Sequence, residues 1–245
     1  MLSAVTIRLG KVTGDVYAAR AYMKVKEVDQ RLSLESAGSE VVVLDVGGGL
    51  GLDDLFFAYK GAYSVVVDLN YKDLKKGKEI SKDFKLHDKI DYLTADARKL
   101  PFVDGAFDVV TSFSAIEHLL YRYEFKVWVQ EMTRVLKNGG KFILTTSNRL
   151  WIMYPIAMLL IALKRRSPES FFKPIEIMEE LEQCNLDIET FDAGIIFYRG
   201  YSLIPLPRNL NEVLENLLNQ FDSFHCLRVI CGRMGFRAEK KIPYS

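Results

Sequence analysis

Five short apolar runs recur between Val41 and Ser147, and longer charged segments separate them. The runs are VVVLDV, YSVVVDL, IDYLTAD, FDVVTSF and KFILTTS, and the segments between them carry apolar residues at helical spacing. Runs that are apolar almost throughout predict strands buried on both faces. Strands that alternate with helices predict parallel neighbours joined by crossover helices. The sequence therefore predicts an α/β fold with a doubly wound, mostly parallel sheet and helices on both faces.

The 245 residues fit a single domain, which we divide into four parts. Residues 1–36 are expected to be an N-terminal helical segment, 37–148 the core, 149–172 an apolar insertion, and 173–245 the rest of the sheet. In the last part we predict a helix and strand over 173–194, a helix near 205–221 and a final strand over 225–236. Asn138 and the pair Gly139-Gly140 predict the stop of the helix before the fifth strand.

Charge and cysteine content narrow the functional classes. With 33 basic and 32 acidic residues the net charge is +1, so the chain lacks the basic excess that nucleic acid binding favours. The cysteines at 184, 226 and 231 show neither a CxxC pair nor zinc-ligand spacing, which indicates a reducing compartment. We see no signal peptide and no transmembrane segment, and we expect a cytoplasmic location.

The first predicted strand ends in VVVLDVGGGLG, with glycines at four of five successive positions. Glycine allows a tight turn and removes the side chain that would keep a ligand from the main chain. The helix that begins near Asp53 points its positive end at the same place. We therefore predict a cofactor cradle; a plain turn rarely needs four glycines. The spacing is not the dinucleotide pattern G-x-G-x-x-G, because its third glycine position falls on Leu52.

The glycines instead follow G-x-G-x-G after Asp45, which resembles the first motif of the class I S-adenosylmethionine-dependent methyltransferases. Three further stretches resemble the same family: VVVDLN, LTADARKLPFVDGAFDVVTSFSAIEHL, and VLKNGGKFILTT, where Asn138 stands at a position more often proline. The resemblance covers about 38–148 and is clearest for the branch that methylates quinones and other small molecules. It implies a Rossmann-like seven-stranded sheet, a helical cap and S-adenosyl-L-methionine as the cofactor.

The resemblance also implies roles for individual residues. Asp45 is expected near the methionine ammonium, Asp68 at the ribose hydroxyls, and Asp96 at the adenine amino group. The full cofactor-binding set is Asp45, Gly47, Gly49, Gly51, Asp68, Leu69, Asp96, Ala97, Ser112 and Phe113. Each acid also has a purely structural explanation, a strand-end cap for Asp68 and an Asx turn for Asp96.

His118, in SAIEHL, is expected just past the fourth strand. An imidazole with a pKa of about 6.5 can accept a proton from a phenol or hydroxyl, so His118 is the candidate general base. The alternative is that it only shapes the pocket. A related subgroup carries Glu-x-x-Glu-His here and binds a divalent metal. Because Ser114 stands at the first of these positions, we predict no metal.

The apolar stretch from Leu150 to Leu163 has 14 residues and is followed by Lys164, Arg165 and Arg166. It is shorter than the roughly 20 residues of a membrane-spanning helix. A buried cap helix packed on the core is favoured, and contact of 150–166 with a membrane surface is the alternative. The expected acceptor is a small molecule, with a lipophilic, quinone-like ring favoured. Other hypotheses are a protein or tRNA methyltransferase, or a non-catalytic protein that binds S-adenosylmethionine or a dinucleotide.

Overall fold

The structure is a computed structural model that describes residues 41–119, 121–150, 154–163, 170–194 and 233–243. The predicted helical segment 1–36, the predicted helix near 205–221 and positions 225–232 of the predicted final strand lie outside these residues. The described part contains one seven-stranded sheet in the order β3-β2-β1-β4-β5-β7-β6. The predicted fold class, a mostly parallel α/β sheet with crossover helices, is confirmed.

The strands and helices alternate in chain order through the first half of the molecule. Their bounds are β1 Val42–Val46, α1 Asp54–Tyr59, β2 Tyr63–Asp68, α2 Tyr71–Asp83, β3 Ile90–Thr94, β4 Phe107–Phe113, α3 Arg122–Val135, β5 Leu136–Ser147, α4 Tyr154–Ala162, α5 Pro174–Gln183, β6 Leu186–Gly194 and β7 Arg233–Lys240. Short 3-10 helices cover His87–Lys89 and Ile116–His118.

The order of the strands determines which loops meet at the carboxyl edge of the sheet. Strands β1 to β5 are all parallel, while β7 runs antiparallel between β5 and β6. The chain lays down β1, β2 and β3 in one direction and then returns to place β4 on the other side of β1. The loops that follow β1 and β4 therefore meet at the carboxyl edge, the position at which ligands bind in open α/β sheets.

Helices pack on both faces of this sheet, as predicted. Leu44 and Val46 of β1 join one large core cluster with α3 and α5. Val43, the residue before Leu44, faces the other way and packs with Phe57 of α1. Because alternate residues of one strand are buried on opposite faces, the strand must be apolar throughout, and this explains the continuous runs in the sequence.

The end of α3 differs from the prediction at Asn138 and Gly139-Gly140. The helix ends at Val135, and Leu136 already has extended backbone and pairs with Phe107. The glycines lie inside β5, beside a shift in the β4–β5 register, and Gly139 has φ +74°. The positive backbone angle was therefore predicted correctly, but it serves an irregularity in a strand instead of a helix stop.

Within the described residues, the last strand continues past its predicted end at 236, since β7 runs from Arg233 to Lys240. Met234, Phe236 and Ala238 are buried, and the residues between them are partly exposed. This two-residue alternation is typical of an antiparallel strand with one face on the core.

The apolar insertion forms a helix, but its described side chains are not those of a core helix. Ile156, Met158 and Leu159 of α4 are exposed, so the favoured expectation of a buried cap is wrong for this part. Apolar composition indicates that a segment avoids water, but it does not determine which surface covers it. In the part of the chain that the structure describes, no helix has the length and apolar character needed to cross a membrane.

Candidate functional site at the carboxyl edge

The loop after β1 is a tight turn whose shape depends on glycine. Gly47, Gly49 and Gly51 have φ of +76°, +55° and +63°, in the left-handed region that residues with a Cβ rarely adopt. The N–H of Gly47 donates to the carbonyl of Val67 at 2.7 Å, and the N–H of Gly51 donates to the carbonyl of Gly48 at 2.9 Å. The predicted bare main chain is thus anchored to β2 and folded back on itself.

Close packing beneath the loop supplies a second reason for these glycines. A Cβ on Gly47 would lie 2.4 Å from the Cβ of Ala115, which follows β4. A Cβ on Gly51 would lie 2.9 Å from the ring of Tyr92. Gly77 of α2, which sequence analysis did not select, approaches the loop so closely that a Cβ there would lie 2.3 Å from the carbonyl oxygen of Leu50. A glycine inside a charged helix was the available signal for this contact.

Asp45 lies under the loop and is almost fully buried, with 1% exposure. The Thr111 hydroxyl of β4 donates to Oδ1 of Asp45 at 2.8 Å. A Cβ on Gly48 would lie 2.5 Å from Oδ2 of the same carboxylate. Asp45 therefore ties β1 to β4 below the cradle, and its charge acts on the site from beneath the main chain.

Asp68 ends β2 and faces the glycine loop directly. Its Oδ2 accepts the N–H of Gly49 at 3.0 Å, and its Oδ1 accepts the N–H of Asn70 at 2.8 Å. An ionised carboxylate offers about four acceptor positions, so these two bonds leave each oxygen able to accept another. That geometry suits a pair of neighbouring hydroxyls. Leu69, the next residue, is exposed at 67% beside it.

Asp96 follows β3 and is held by a side chain that sequence analysis missed. Its carboxylate accepts the backbone N–H of Arg98 at 2.9 Å, which is the Asx turn considered above, and also the Nη2 of Arg98 at 2.6 Å. Arg98 continues to Glu124 of α3 at 2.5 Å. Hydrogen bonds from Arg98 lower the pKa of Asp96 and keep it ionised. An adenine amino group would have to share this acceptor with Arg98, while Ala97 is buried in the core.

The residues at the end of β4 lie on the side of the site opposite β2. The fully buried Ser112 hydroxyl donates to the carbonyl of Val46 at 2.9 Å, so Ser112 braces β1, and Phe113 packs with Val43 and Phe57. Ser114 has φ +57°, an unusual angle for a residue other than glycine. Strained backbone of this kind clusters at functional sites.

His118 is exposed at the end of the short helix that follows β4, whereas Glu117 beside it is buried. The Thr146 hydroxyl of β5 bonds Oε2 of Glu117 at 3.1 Å, and the Glu117 carbonyl accepts the N–H of Ser170. Glu117 therefore ties three segments together, and His118 is the member of the pair that is available to a reactant. Among the described side chains, no cluster of three or more His, Cys, Asp or Glu residues is arranged to hold a metal ion.

Several buried polar atoms near this edge have no hydrogen-bond partner among the described residues. They include the Ser114 Oγ, the Thr145 Oγ1, the Trp128 Nε1 and the Tyr92 hydroxyl. The Trp128 ring lies beside the glycine loop, since a Cβ on Gly47 would be 3.5 Å from it. Unsatisfied buried groups are rare in folded proteins and need an explanation such as a ligand or ordered water.

Asp54, the first residue of α1, is a buried acid just behind the loop. It accepts a hydrogen bond from the Ser64 hydroxyl. Burial raises the pKa of Asp54 to about 6, because removal from water disfavours the ionised form more than the Ser64 bond favours it. The carboxyl edge thus concentrates negative charge near the cradle, which suits a cationic ligand.

The edge as a whole fits the cofactor that the sequence implied. Bare main chain, the acceptor positions left on Asp68, and the acids Asp45 and Asp96 at neighbouring strand ends are complementary to a ligand with a cationic end, vicinal hydroxyls and an amino-bearing ring. A diphosphate would meet this concentration of carboxylates unfavourably. The structure brings Asp45 and Asp68 against the loop, while Ser112 and Phe113 contact β1, and it adds Gly77, Arg98, Ser114 and Trp128.

Comparisons with known proteins agree with this geometry. Residues 44–144 match the family model described as a methyltransferase domain. The chain is 34% identical over 116 residues to the demethylmenaquinone methyltransferase of Corynebacterium urealyticum, covering 47% of this chain and 44% of that protein. It is 33% identical over 105 residues to a probable chloroplastic tocopherol O-methyltransferase of Oryza sativa subsp. japonica, covering 42% and 28%. The chain thus spans less than half the length of these relatives.

Solved structures share the fold at low sequence identity. The cyclase SpnF superposes with a TM-score of 0.65 at 17% identity, covering 90% of this chain and 82% of that one. The geranyl diphosphate C-methyltransferase of Streptomyces coelicolor, in complex with Mg²⁺, geranyl diphosphate and S-adenosyl-L-homocysteine, gives 0.61 at 14% identity, covering 93% and 86%.

The fold and the matched region define the class that the sequence predicted. Residues 44–144 match a methyltransferase domain, the class that the sequence resemblance implied. The predicted cofactor, S-adenosyl-L-methionine, is supported by the same findings.

Proposed function

We propose that this protein transfers a methyl group from S-adenosyl-L-methionine to a small lipophilic acceptor with a quinone-like ring. One observation carries the proposal: the Gly49 N–H and the Asp68 carboxylate meet at 3.0 Å beside bare glycine main chain, inside a matched methyltransferase domain. The acceptor class is supported by relatives named for demethylmenaquinone and tocopherol.

We assign the cofactor to the set predicted from the sequence, with roles adjusted to the geometry. Asp68 accepts the ribose hydroxyls through its remaining lone pairs, and Gly47, Gly49 and Gly51 leave the main chain open to the ligand. Asp45 and Ser112 act from below the loop, through charge and through the alignment of β1 with β4. Leu69, Asp96, Ala97 and Phe113 complete the set.

S-adenosylmethionine, when bound, would supply an electrophilic methyl group on its sulfonium. An acceptor oxygen or carbon that took this methyl group, with the sulfur as leaving group, would lose a proton. The chain aligns the reactants and excludes water. We propose that His118 takes the proton, since its exposed imidazole directly follows the strand end that lies beside the glycine loop.

Binding tests the cofactor assignment. Calorimetry should show binding of S-adenosylhomocysteine and none of NAD. Asp68→Asn should weaken that binding about tenfold or more, because hydrogen bonds to a charged acceptor are replaced by weaker ones. The matched control is Asp88→Asn, an acid 89% exposed and remote from the loop, which should change nothing. Tight binding of NAD without binding of the adenosyl ligand would overturn the proposal.

Transfer of a labelled methyl group tests the acceptor class. With demethylated quinols, an RNA fraction and a protein fraction offered separately, the label should enter the quinol. Label in RNA or protein would favour the protein or tRNA alternative. Binding without transfer to any fraction would favour a non-methylating role, because the fold is shared with the cyclase SpnF.

The base assignment has its own test. His118→Ala should slow turnover about a hundredfold near neutral pH and leave S-adenosylhomocysteine affinity unchanged, since general base catalysis contributes on this scale. His87→Ala, which removes an exposed imidazole elsewhere, is the control. Unchanged turnover of His118→Ala with the true acceptor would rule the base role out.

We further propose that residues 1–245 act as a single methyltransferase domain and that the protein works in the cytoplasm. The free thiol of Cys184 is in keeping with a reducing compartment. Fractionation of source cells, with the protein detected by antibody, tests the location.

A further inference from the structure

The exposed side of α4 is entirely apolar. Ile156, Met158, Leu159 and Leu163 are 42%, 39%, 57% and 56% exposed. With Pro155 and Ala162, which are also exposed, they fall on one arc of about 160° around the helix axis. Tyr154 and Ile161 are the partly buried side chains on the opposite side. A contiguous apolar face of this kind marks an interaction surface.

The helix is fixed beside the candidate site at its first turn. The Tyr154 ring packs edge-on against Phe171, with ring centroids 5.2 Å apart. The segment with Phe171 is itself anchored to the loop after β4, because the Ser170 N–H donates to the Glu117 carbonyl at 2.7 Å and its hydroxyl donates to the Leu119 carbonyl at 3.0 Å. The apolar face is therefore held close to the segment that carries His118.

The charges next to α4 in the sequence favour an anionic lipid surface as the partner of this face. Residues 149–166 contain four cations, Arg149 and the run Lys164, Arg165 and Arg166, and no acid, although the whole chain has a net charge of only +1. Cations attract anionic lipid headgroups, and exposed apolar side chains enter the boundary between headgroups and acyl chains. Two copies of the chain joined through this face would instead bring both cation sets together.

The helix is the right size to lie on a bilayer. Its nine residues are about 13 Å long, against a hydrocarbon core of about 30 Å. We propose that α4 docks the protein on an anionic lipid surface and places the acceptor side of the sheet at the interface. Docking rests on the proposed function, because it would allow the protein to take a lipophilic acceptor from the bilayer.

Vesicle flotation tests docking without any methyl transfer. The protein should float with vesicles of phosphatidylcholine and phosphatidylglycerol at low salt, and weakly with phosphatidylcholine alone. Leu159→Asp should lower the affinity about tenfold or more by placing charge on the apolar face. Replacing Lys164, Arg165 and Arg166 together by Gln should do the same and remove the salt dependence. Val103→Asp, at an apolar side chain 76% exposed before β4, should have no effect.

The outcomes separate docking from catalysis. S-adenosylhomocysteine affinity should be unchanged in every variant, which shows that each one is folded. Failure of the wild type to bind anionic vesicles, or binding that Leu159→Asp leaves intact, overturns docking whatever the acceptor proves to be. Light scattering that gives a dimer, dispersed by Leu159→Asp, would assign the face to a second copy. Vesicle binding without methyl transfer would leave docking standing and overturn the proposed function.

Discussion

Polar groups are paired differently at the two edges of the sheet, the amino edge, where the parallel strands begin, and the carboxyl edge, where they end beside the glycine loop. At the amino edge, Arg134 bonds Glu131 and Asp104 at 2.8 Å each and also the carbonyls of Leu100 and Phe102. At the carboxyl edge, the Ser114 hydroxyl and the Trp128 N–H are buried without a described partner, and Ser114 holds a left-handed backbone angle. The charged groups of the Arg134 network are paired within the protein, whereas the Ser114 and Trp128 groups beside the glycine loop have no partner among the described residues.

Two acids make the same contrast in their ionisation. Hydrogen bonds from Arg134 lower the pKa of Glu131 at the amino edge. Burial raises the pKa of Asp54 to about 6 behind the glycine loop. The ionised form of Glu131 is therefore stabilised at the amino edge, whereas the ionised form of Asp54 is disfavoured behind the glycine loop. Strain and unsatisfied groups that persist in a folded protein concentrate where ligands bind.

The size of a hollow does not identify the functional edge. An open hollow of about 480 Å³ lies at the amino edge, lined in part by Arg134, Lys137 and Lys240. Its cations are already paired, however. The Lys240 Nζ donates to the carbonyls of Thr133 and Leu136 at 2.7 Å, at the end of α3, and Lys137 bonds Asp108. This hollow is a by-product of a structural network.

The largest expected effect is at the glycine loop. Gly47→Ala should weaken S-adenosylhomocysteine binding several hundredfold, or about 3–4 kcal/mol, because φ +76° and the 2.4 Å approach to Ala115 force the loop to move. Gly61→Ala is the matched control: it has φ +103° with open space around the added carbon, so it should cost stability alone. Calorimetric affinity of Gly47→Ala within about threefold of the wild type would break the contrast.

The next effect is a pH dependence from Asp54. Because its folded pKa is raised from 3.8 to about 6, wild-type stability should fall as pH rises from 4 to 6 and stay lowered above that. Asp54→Asn keeps an acceptor for Ser64 and removes the charge, so it should stabilise the protein by about 3 kcal/mol at pH 8. Urea unfolding at pH 4.5 and pH 8 measures this. An equal effect of the substitution at both pH values would contradict a buried ionisable group.

The smallest effect is at the amino edge. Arg134→Ala should lower the free energy of unfolding by about 2 kcal/mol, since it strands two backbone carbonyls and the Glu131 carboxylate. Its S-adenosylhomocysteine affinity should remain that of the wild type. Lys137→Ala, which removes a half-exposed pair with Asp108, should cost less than about 0.5 kcal/mol. A large loss of ligand affinity in Arg134→Ala would show that the two edges are coupled.

The sequence by itself determined β1 to β5, the helices between them and the glycine loop. Each depends on neighbours along the chain: continuous apolar runs require burial on both faces, and residues such as Gly47 and Gly51 mark left-handed backbone. Local signals also placed a left-handed residue at Gly139, although they could not show that it belongs to a strand.

Only the tertiary structure decided which side chains share the site and what each one does. Arg98, which holds Asp96, bonds Glu124 across 26 positions. The Ser112 hydroxyl bonds the Val46 carbonyl across 66 positions, and Gly77 leaves room for the Leu50 carbonyl. The exposure of α4 was likewise hidden from the sequence. The physical reason is that steric and periodic preferences act between residues close in the chain, whereas partners are brought together by the order in which the strands assemble.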